Sequence, residues 1–469
     1  MRPKMNSDIA YIGAVDLGKL IAKGKLSSVE VTRTILNRIE RLDPLLKSYV
    51  SVLEGHALKD ARRADKQLKH NMRCGPLHGV PVAVKDLCNM SGLPTTAGIP
   101  MFRKSIADHD ATVVRKLRKA GAVILGKLHL TEGALAEHHP KISPPINPWS
   151  ANRWSGASSS GTGVSVAAGL AFGALGSDTG GSIRFPASCN GIVGLKPTWS
   201  RVSRFGVFPL SQTLDHVGPL TRSVEDAAAM LQAIAGRDTS DPSSSSIKVP
   251  NYLATIGRGV EGVRIGIDRK YAFNGVDVEI KKTIERAIRV LKDAGAIIVP
   301  FKMPPLEAAL AAWGPICSSD AATAHAASYP TKKRGYSTTF AGFLDIGHAV
   351  TGLDYAKAEI IRREFRGNME EVFTSIDLFI KPVFQRINPT VKAFAAMCES
   401  GLDDLIAFTA PDDLTGAPTI TLPAGLDKNR SPLSFQLVGR HFEEALLFRA
   451  GRVWQSAEDW RDLRPPLAK

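Results

Sequence analysis

In the run Ser177-Asp178-Thr179-Gly180-Gly181-Ser182-Ile183-Arg184-Phe185-Pro186-Ala187, a hydroxyl follows two glycines and an arginine stands two residues further on. A Gly-Gly pair lets the backbone turn its N–H groups toward one point beside the serine oxygen. That is the local geometry that holds an oxyanion next to a nucleophile. A second serine-rich turn, Gly156-Ala157-Ser158-Ser159-Ser160-Gly161, lies upstream, and before it an apolar run, Val80 to Val84, ends on Lys85. Two serines and one lysine on three separated turns suggest acyl transfer without histidine.

A serine hydroxyl is a poor nucleophile until a base takes its proton. The elbow G-x-S-x-G, which would pair a serine with histidine, is absent: Ser158-Ser159 leads into Ser160, and Ser182 into Ile183. None of the eleven histidines falls in a triad or metal pattern; His138-His139 are adjacent and no H-E-x-x-H occurs. Lysine can serve instead if its pKa falls. An ordinary lysine is neutral in only about 0.04% of molecules at pH 7, and burial at the end of an apolar strand is the kind of desolvation that lowers its pKa. A relay serine would then carry the proton between lysine and nucleophile.

The elements that must position these groups alternate between helix and buried strand. Ser27-Ser28-Val29-Glu30 has the capping-box pattern, and Val31, Ile35, Ile39 and Leu42 follow at helical spacing, predicting a helix that ends near Asp43-Pro44. Ala57 to Leu68 reads as a second helix. Thr112 to Ala120 reads as a helix stopped by Gly121, with a strand over 122–126; Asp277 to Ala294 repeats the design, with Gly295 and a strand over 296–299. Leu170 to Ser177 and Val263 to Asp268 are further apolar runs. This alternation predicts an α/β sandwich around a largely buried sheet. Gly236 to Gly262, rich in Ser, Pro, Asp and Gly, reads as a surface linker between halves or as a long loop within one domain. Residues 304–399 read as mostly helical, with no pattern assignable to chemistry.

The 469 residues are 44% hydrophobic and 22% charged, a globular rather than a disordered balance. The net charge of +15 is spread without a dense Lys/Arg block, which favours a solvated basic surface over a nucleic-acid interface. Five scattered cysteines without a C-x-x-C pair indicate neither a disulfide framework nor a zinc site. The N-terminal Met1 to Asp8 lacks a leader's apolar core, and no apolar run reaches membrane-spanning length. These features lead to the expectation of a cytoplasmic enzyme.

Taken together, the segments resemble the amidase signature family of Ser-cisSer-Lys hydrolases. The likeness runs through His78 to Asp86, Asn147-Pro148-Trp149, Gly156 to Gly163, Ser177 to Ala187, Gly191 to Thr198 and Asp215 to Leu220, and resumes in Phe408 to Pro411 and Gln436 to Arg440. The resemblance implies an α/β fold with a large central mixed, twisted β-sheet covered by helices on both faces. It implies one catalytic domain over 1–469, a signature core at 78–222, and a mostly helical variable region at 300–400 that shapes the substrate pocket. It assigns Ser182 as nucleophile, Ser158 as the cis-peptide relay serine and Lys85 as general base. It places the oxyanion hole on the amides of Thr179, Gly180, Gly181 and Ser182, with Asp178 and Arg184 bracing the loop. No metal or cofactor is implied, the partner being a small amide rather than nucleic acid or membrane; a homodimer is compatible.

The chain departs from the family pattern in two places. Ala157 and Ser160 stand where the serine turn commonly carries glycine, and Lys127 to Ala134 differs from the usual pocket sequence. The pocket walls are expected from Thr131 to Pro148 and from the stretch after Pro304, with His138-His139 bordering the entrance. These departures favour an apolar or aryl amide, with carbamates and esters as extensions, over the glutamine-hydrolysing component of a tRNA-dependent amidotransferase. A nucleotide site at Gly121 to Lys127 lacks the required hydroxyl, since Leu128 follows the lysine. A non-catalytic binding protein has no need for Lys85, Ser158 and Ser182 together.

Overall fold

Eleven strands form one sheet in the order β1-β3-β2-β4-β6-β5-β10-β11-β9-β7-β8. In chain order they are β1 (Tyr49–Val52), β2 (Pro81–Lys85), β3 (Val123–Leu128), β4 (Gly173–Asp178), β5 (Val193–Lys196) and β6 (His216–Thr221), followed by β7 (Arg264–Ile267), β8 (Ile297–Pro300), β9 (Leu378–Lys381), β10 (Thr419–Leu426) and β11 (Pro432–Gly439). The structure, a computed structural model, describes residues 9–399, 401 and 403–469; the N-terminal stretch read above for a leader, Met1 to Asp8, lies outside them.

The sheet is mixed. β2 runs parallel to both neighbours, β3 and β4, whereas β4, β6, β5, β10, β11 and β9 pair antiparallel in turn. Every residue of β2, β3 and β4 is buried, which is why these strands read as continuous apolar runs instead of alternating ones. Two groups of helices cover the sheet. Val224–Ile234, Val278–Asp293 and Glu444–Ala457 pack on one another and on β4–β6, β10 and β11, while Ser160–Ala167 and Arg184–Asn190 form a second contacting pair against β2, β4, β5 and β10. Helices Glu307–His325, Thr338–Ala349 and Gly352–Ser375 build a separate apolar cluster with Phe185, Phe379 and Leu414.

Several expectations are corrected. The second helix of the chain reaches Leu46 with Pro44 inside it; proline forfeits only the bond to the exposed Glu40 carbonyl, in a last turn where that carbonyl is open to water. Ser27 caps this helix as predicted, accepting the Glu30 N–H at 3.0 Å. Asp277 precedes the helix Val278–Asp293 but does not cap it through its side chain; its carboxylate accepts the Ile387 N–H at 2.8 Å. The region 300–400 is mostly helical, as expected, and also holds β9, which pairs with β11 and β7. The segment 236–262 is packed: it contains the short helix Tyr252–Thr255, and Tyr252 is fully buried. Lys127 ends no phosphate cradle; its Nζ is buried 2.6 Å from Asp86 Oδ1.

Candidate active site

Parallel pairing puts the C-terminal ends of β2 and β4 on one edge of the sheet, where open α/β sheets place their chemistry. Lys85 is the last residue of β2, and Ser177-Asp178 end β4. The helix Ser160–Ala167 packs against both strands and presents the serine turn at its start. The three motifs, dispersed in sequence, therefore meet at one point.

Lys85 Nζ lies 2.6 Å from Ser158 Oγ and 2.9 Å from Ser177 Oγ. The Ala157–Ser158 peptide is cis, as the resemblance implied. Ser182 stands at the loop after β4, partly exposed, and its carbonyl accepts the Ser159 N–H at 3.3 Å. Ser159 Oγ ties the same turn to β4, donating to the Ser177 carbonyl at 3.2 Å. Burial pushes the Lys85 amine from 10.5 down to about 7, against the opposing pull of Asp215 and Asp178. A fully buried ammonium without a carboxylate in contact is the case in which desolvation prevails.

The loop that carries Ser182 is shaped by Asp178. Its carboxylate accepts N–H groups from Gly181 (2.6 Å), Ile183 (2.9 Å) and Arg184 (3.3 Å). This corrects the expected oxyanion hole: the Gly181 N–H is already engaged. The N–H groups of Thr179, Gly180 and Ser182 have no acceptor among the described residues. Gly181 has φ +134, and a Cβ there would sit 2.3 Å from the Phe185 ring, so only glycine fits.

Arg184 braces the loop more widely than its spacing suggested. Its guanidinium meets Asp178 through Nε and Nη2 (3.0 and 2.8 Å), Asp412 through Nη1 (2.9 Å) and Asp413 through Nη2 (2.5 Å). All four side chains are buried. Burial alone would raise the Asp178 carboxyl, but Arg184 overrides it and holds it well below the usual carboxylate range. Lys381 of β9 pairs with Asp412 at 2.9 Å, bringing the end of the helical region into the same charge cluster. Asp215, pushed up by burial to about 6, accepts the Thr179 hydroxyl at 2.6 Å.

Ser182 opens into a cleft walled by Ala134, Leu135, Ala157, Phe185, Leu210 and Trp313, with Leu405 and Ile406 also in its lining. None of the residues lining it is charged, and the free space is about 40 Å³. Trp313 closes over Gly180 and donates its Nε1–H to the Thr179 carbonyl at 2.9 Å. The segment after Thr131 and the stretch after Pro304 thus both contribute walls, as expected. Sequence reasoning missed Trp313, Leu405 and Ile406, which carry no chemical signature, and gave Ser177 no role although it stands in the quoted motif. The five cysteines are all unpaired, and among the described residues no cluster of His, Cys, Asp and Glu could hold a metal ion. No helix among them is long and apolar enough to cross a membrane.

Comparisons with known proteins show what the chain as a whole is similar to. A family model described as Amidase matches residues 30–448. The chain is 42% identical over 468 residues to a candidate amidase, AmiD, of Mycobacterium tuberculosis, covering 99% of this chain and 98% of that protein. It is 35% identical to the A component of the glutamyl-tRNA(Gln) amidotransferase of Carboxydothermus hydrogenoformans, over 98% of this chain and 100% of that one. Among solved structures, the native peptide amidase of Stenotrophomonas maltophilia superposes with a TM-score of 0.82 at 29% identity, covering 97% of this chain and 98% of that one.

Proposed function

We propose, from the premise that this chain belongs to the amidase family, that it hydrolyses the C–N bond of a small amide with an apolar, uncharged acyl group, through an acyl-enzyme on Ser182. The observation that carries the mechanism is the wholly buried Lys85 amine, pushed down to about 7 and 2.6 Å from Ser158 Oγ. At neutral pH about half of the molecules then hold an amine able to take a proton, against a few in ten thousand for an ordinary lysine.

In the proposed sequence, neutral Lys85 takes the Ser158 proton as Ser158 takes the proton of Ser182. The Ser182 Oγ–carbonyl bond forms, and the carbonyl π pair becomes an oxyanion facing the N–H groups of Thr179, Gly180 and Ser182. Loss of one such donor typically costs about 3–4 kcal/mol of barrier. Collapse of this intermediate breaks the C–N bond while the proton returns through Ser158 to the leaving nitrogen. Water then adds to the acyl carbon, giving its proton to the same relay; collapse of this second intermediate breaks the Ser182 Oγ–C bond, the relay returns the proton to Ser182 Oγ, and the carboxylic acid leaves.

The cleft lining supports the substrate class. An amino acid such as glutamine brings an ammonium and a carboxylate, and neither finds a charged partner among the lining residues. Desolvating them unpaired costs far more than apolar contact returns. The likeness to a component of a tRNA-dependent amidotransferase favours glutamine hydrolysis as the second reading; the lining favours the first.

The test is a panel of anilides, primary amides, carbamates and glutamine, run alongside intact-mass detection of a serine-directed phosphonate. Wild type should gain one phosphonate adduct, Ser182→Ala none, and apolar anilides should turn over at least about a hundredfold faster than glutamine. Equal labelling of both proteins removes Ser182 as nucleophile. Preference for glutamine removes the substrate class.

A further inference from the structure

The segment that walls the cleft and the turn that carries Ser158 are joined at three points. Thr131 N–H donates to the Ser158 carbonyl at 3.2 Å, and Gly161 N–H donates to the His129 carbonyl at 3.0 Å. The third link joins two side chains: Ser160 Oγ lies 3.1 Å from His138 Nε2. The first two are main-chain bonds, the second requiring a glycine, since a Cβ at 161 would sit 2.7 Å from the His129 carbonyl oxygen. The third exists only because position 160 carries a hydroxyl and position 138 an imidazole. Ser160 is one of the two residues at which the turn departs from the family's glycine pattern, and it is fully buried.

His138 is placed to feel the cleft. It stands two residues beyond Ala136, which lines the cleft with Ala134 and Leu135. The intervening loop is cross-tied, with Thr131 Oγ1 donating to the Leu135 carbonyl and Glu132 N–H donating to the Glu137 carbonyl, both at 2.8 Å. A push on the wall therefore moves the loop as a body. The other ring nitrogen of His138, Nδ1, is buried without a hydrogen-bond partner among the described residues. Ser160 is thus the one hydrogen-bond partner that these residues offer the imidazole. Packing alone does not account for it, because an apolar ring would fill the same space without an unsatisfied nitrogen.

We propose that His138 is a positioning residue that links occupancy of the acyl cleft to the placement of the Ser158 relay. The inference rests on the acyl-enzyme reading above and extends it. With about 40 Å³ free, an acyl group of more than a few heavy atoms must displace the walls. The Ala134–Ala136 wall carries that displacement through His138 to Ser160, two residues from Ser158. Substrates that fill the cleft gain alignment of the relay, and an acetyl group, which displaces nothing, does not.

The test is a series of anilides from acetyl to phenylacetyl, assayed on wild type, His138→Ala, Ser160→Ala and the double variant. Ser160→Ala removes a single oxygen, so the comparison survives if His138→Ala fails to fold. One net hydrogen bond corresponds to about two- to tenfold in rate. We expect kcat to fall by that factor for the cleft-filling anilides, with KM unchanged. Acetanilide should stay within about twofold of wild type, and the double variant should lose no more than either single one. His138→Gln, whose amide can reach the hydroxyl, should restore part of the loss. A uniform loss across the series, or additive losses in the double variant, overturns the inference. A wild type that takes no phosphonate on Ser182 defeats the acyl-enzyme reading and this inference with it; a labelled wild type with a uniform loss defeats this inference alone.

Discussion

Lys85→Met removes the proposed base and a buried cation together, and the two consequences have opposite signs. Burial pushes the Lys85 amine down to about 7 in the folded protein, whereas in the unfolded chain it titrates near 10.5. Between those values the unfolded state holds a proton that the folded state has released, so wild-type stability rises with pH across this window. Below pH 7 both states are protonated, and the fold bears the full difference, about 5 kcal/mol at about 1.4 kcal/mol per pH unit. At pH 7, with the folded group half protonated, about 4 kcal/mol remains; by pH 10 it is about 1. Methionine has no such burden, but it forgoes the hydrogen bonds to Ser158 and Ser177, each worth about 1 kcal/mol. Subtracting the wild-type unfolding free energy from that of Lys85→Met cancels the rest of the chain. That difference should fall by about 3 kcal/mol from pH 7 to pH 10. Hydrolysis by the variant should drop at least about a hundredfold throughout, and wild-type kcat/KM should rise about tenfold per pH unit to a plateau above about pH 8. Urea unfolding followed by circular dichroism, with anilide hydrolysis on the same samples, measures both. A stability difference independent of pH from 7 to 10 would mean that Lys85 titrates as an ordinary lysine in the fold, and the base assignment would lose its physical foundation.

Two other substitutions probe the surroundings. Arg184→Met leaves Asp178, Asp412 and Asp413 buried without their common cation, and should destabilise the protein by about 3–5 kcal/mol in urea unfolding; a loss under about 1 kcal/mol contradicts the bracing role. Trp313→Ala opens the cleft and frees the Thr179 carbonyl, so the ratio of kcat/KM for a bulky acyl anilide over acetanilide should rise severalfold; an unchanged ratio means Trp313 is no wall of the acyl site.

The parts of the site legible in the sequence are those whose chemistry is local. Asp178 to Arg184 span one loop, so a carboxylate, two glycines and a serine declare their geometry within seven residues. Even there one donor is misassigned. An aspartate three residues before Gly181 is placed to accept its N–H, a turn preference readable from spacing, and it takes one of the four expected oxyanion donors. The strands β2, β3 and β4 are legible because burial on both faces leaves continuous apolar runs. What is not legible is long-range. Asp412 and Asp413 lie more than two hundred residues from Arg184, and nothing near them in sequence names their partner. Lys381 sits in a stretch that reads as helical because its strand is only four residues long. Trp313, Leu405 and Ile406 look like any apolar residues of helical stretches; only the tertiary fold turns them toward Ser182.

The charges around Lys85 explain why the brace and the proposed base belong to one device. A carboxylate near a lysine favours the ammonium, and Asp215 and Asp178 both pull the Lys85 pKa upward against burial. Left free, Asp178 would hold the proton on Lys85 and disarm it. Arg184 prevents this by taking both oxygens of Asp178 into its own fork, so that the field reaching Lys85 is that of a pair rather than of a bare charge. Asp215, in turn, is raised to about 6 by burial and shares its remaining charge with the Thr179 hydroxyl and the N–H groups of Leu210 and Ser211. Arg184 then needs its own counter-charges, which Asp412 and Asp413 supply from a helix beside the sheet, with Lys381 balancing Asp412. The charges of this brace answer one another, and Lys85 stands outside their pairing. Its nearest polar neighbours are two hydroxyls, which accept from an ammonium and can donate to an amine. Burial thus drives the proton off about half of the Lys85 amines at neutral pH, and the pairing of the surrounding charges keeps them from restoring it.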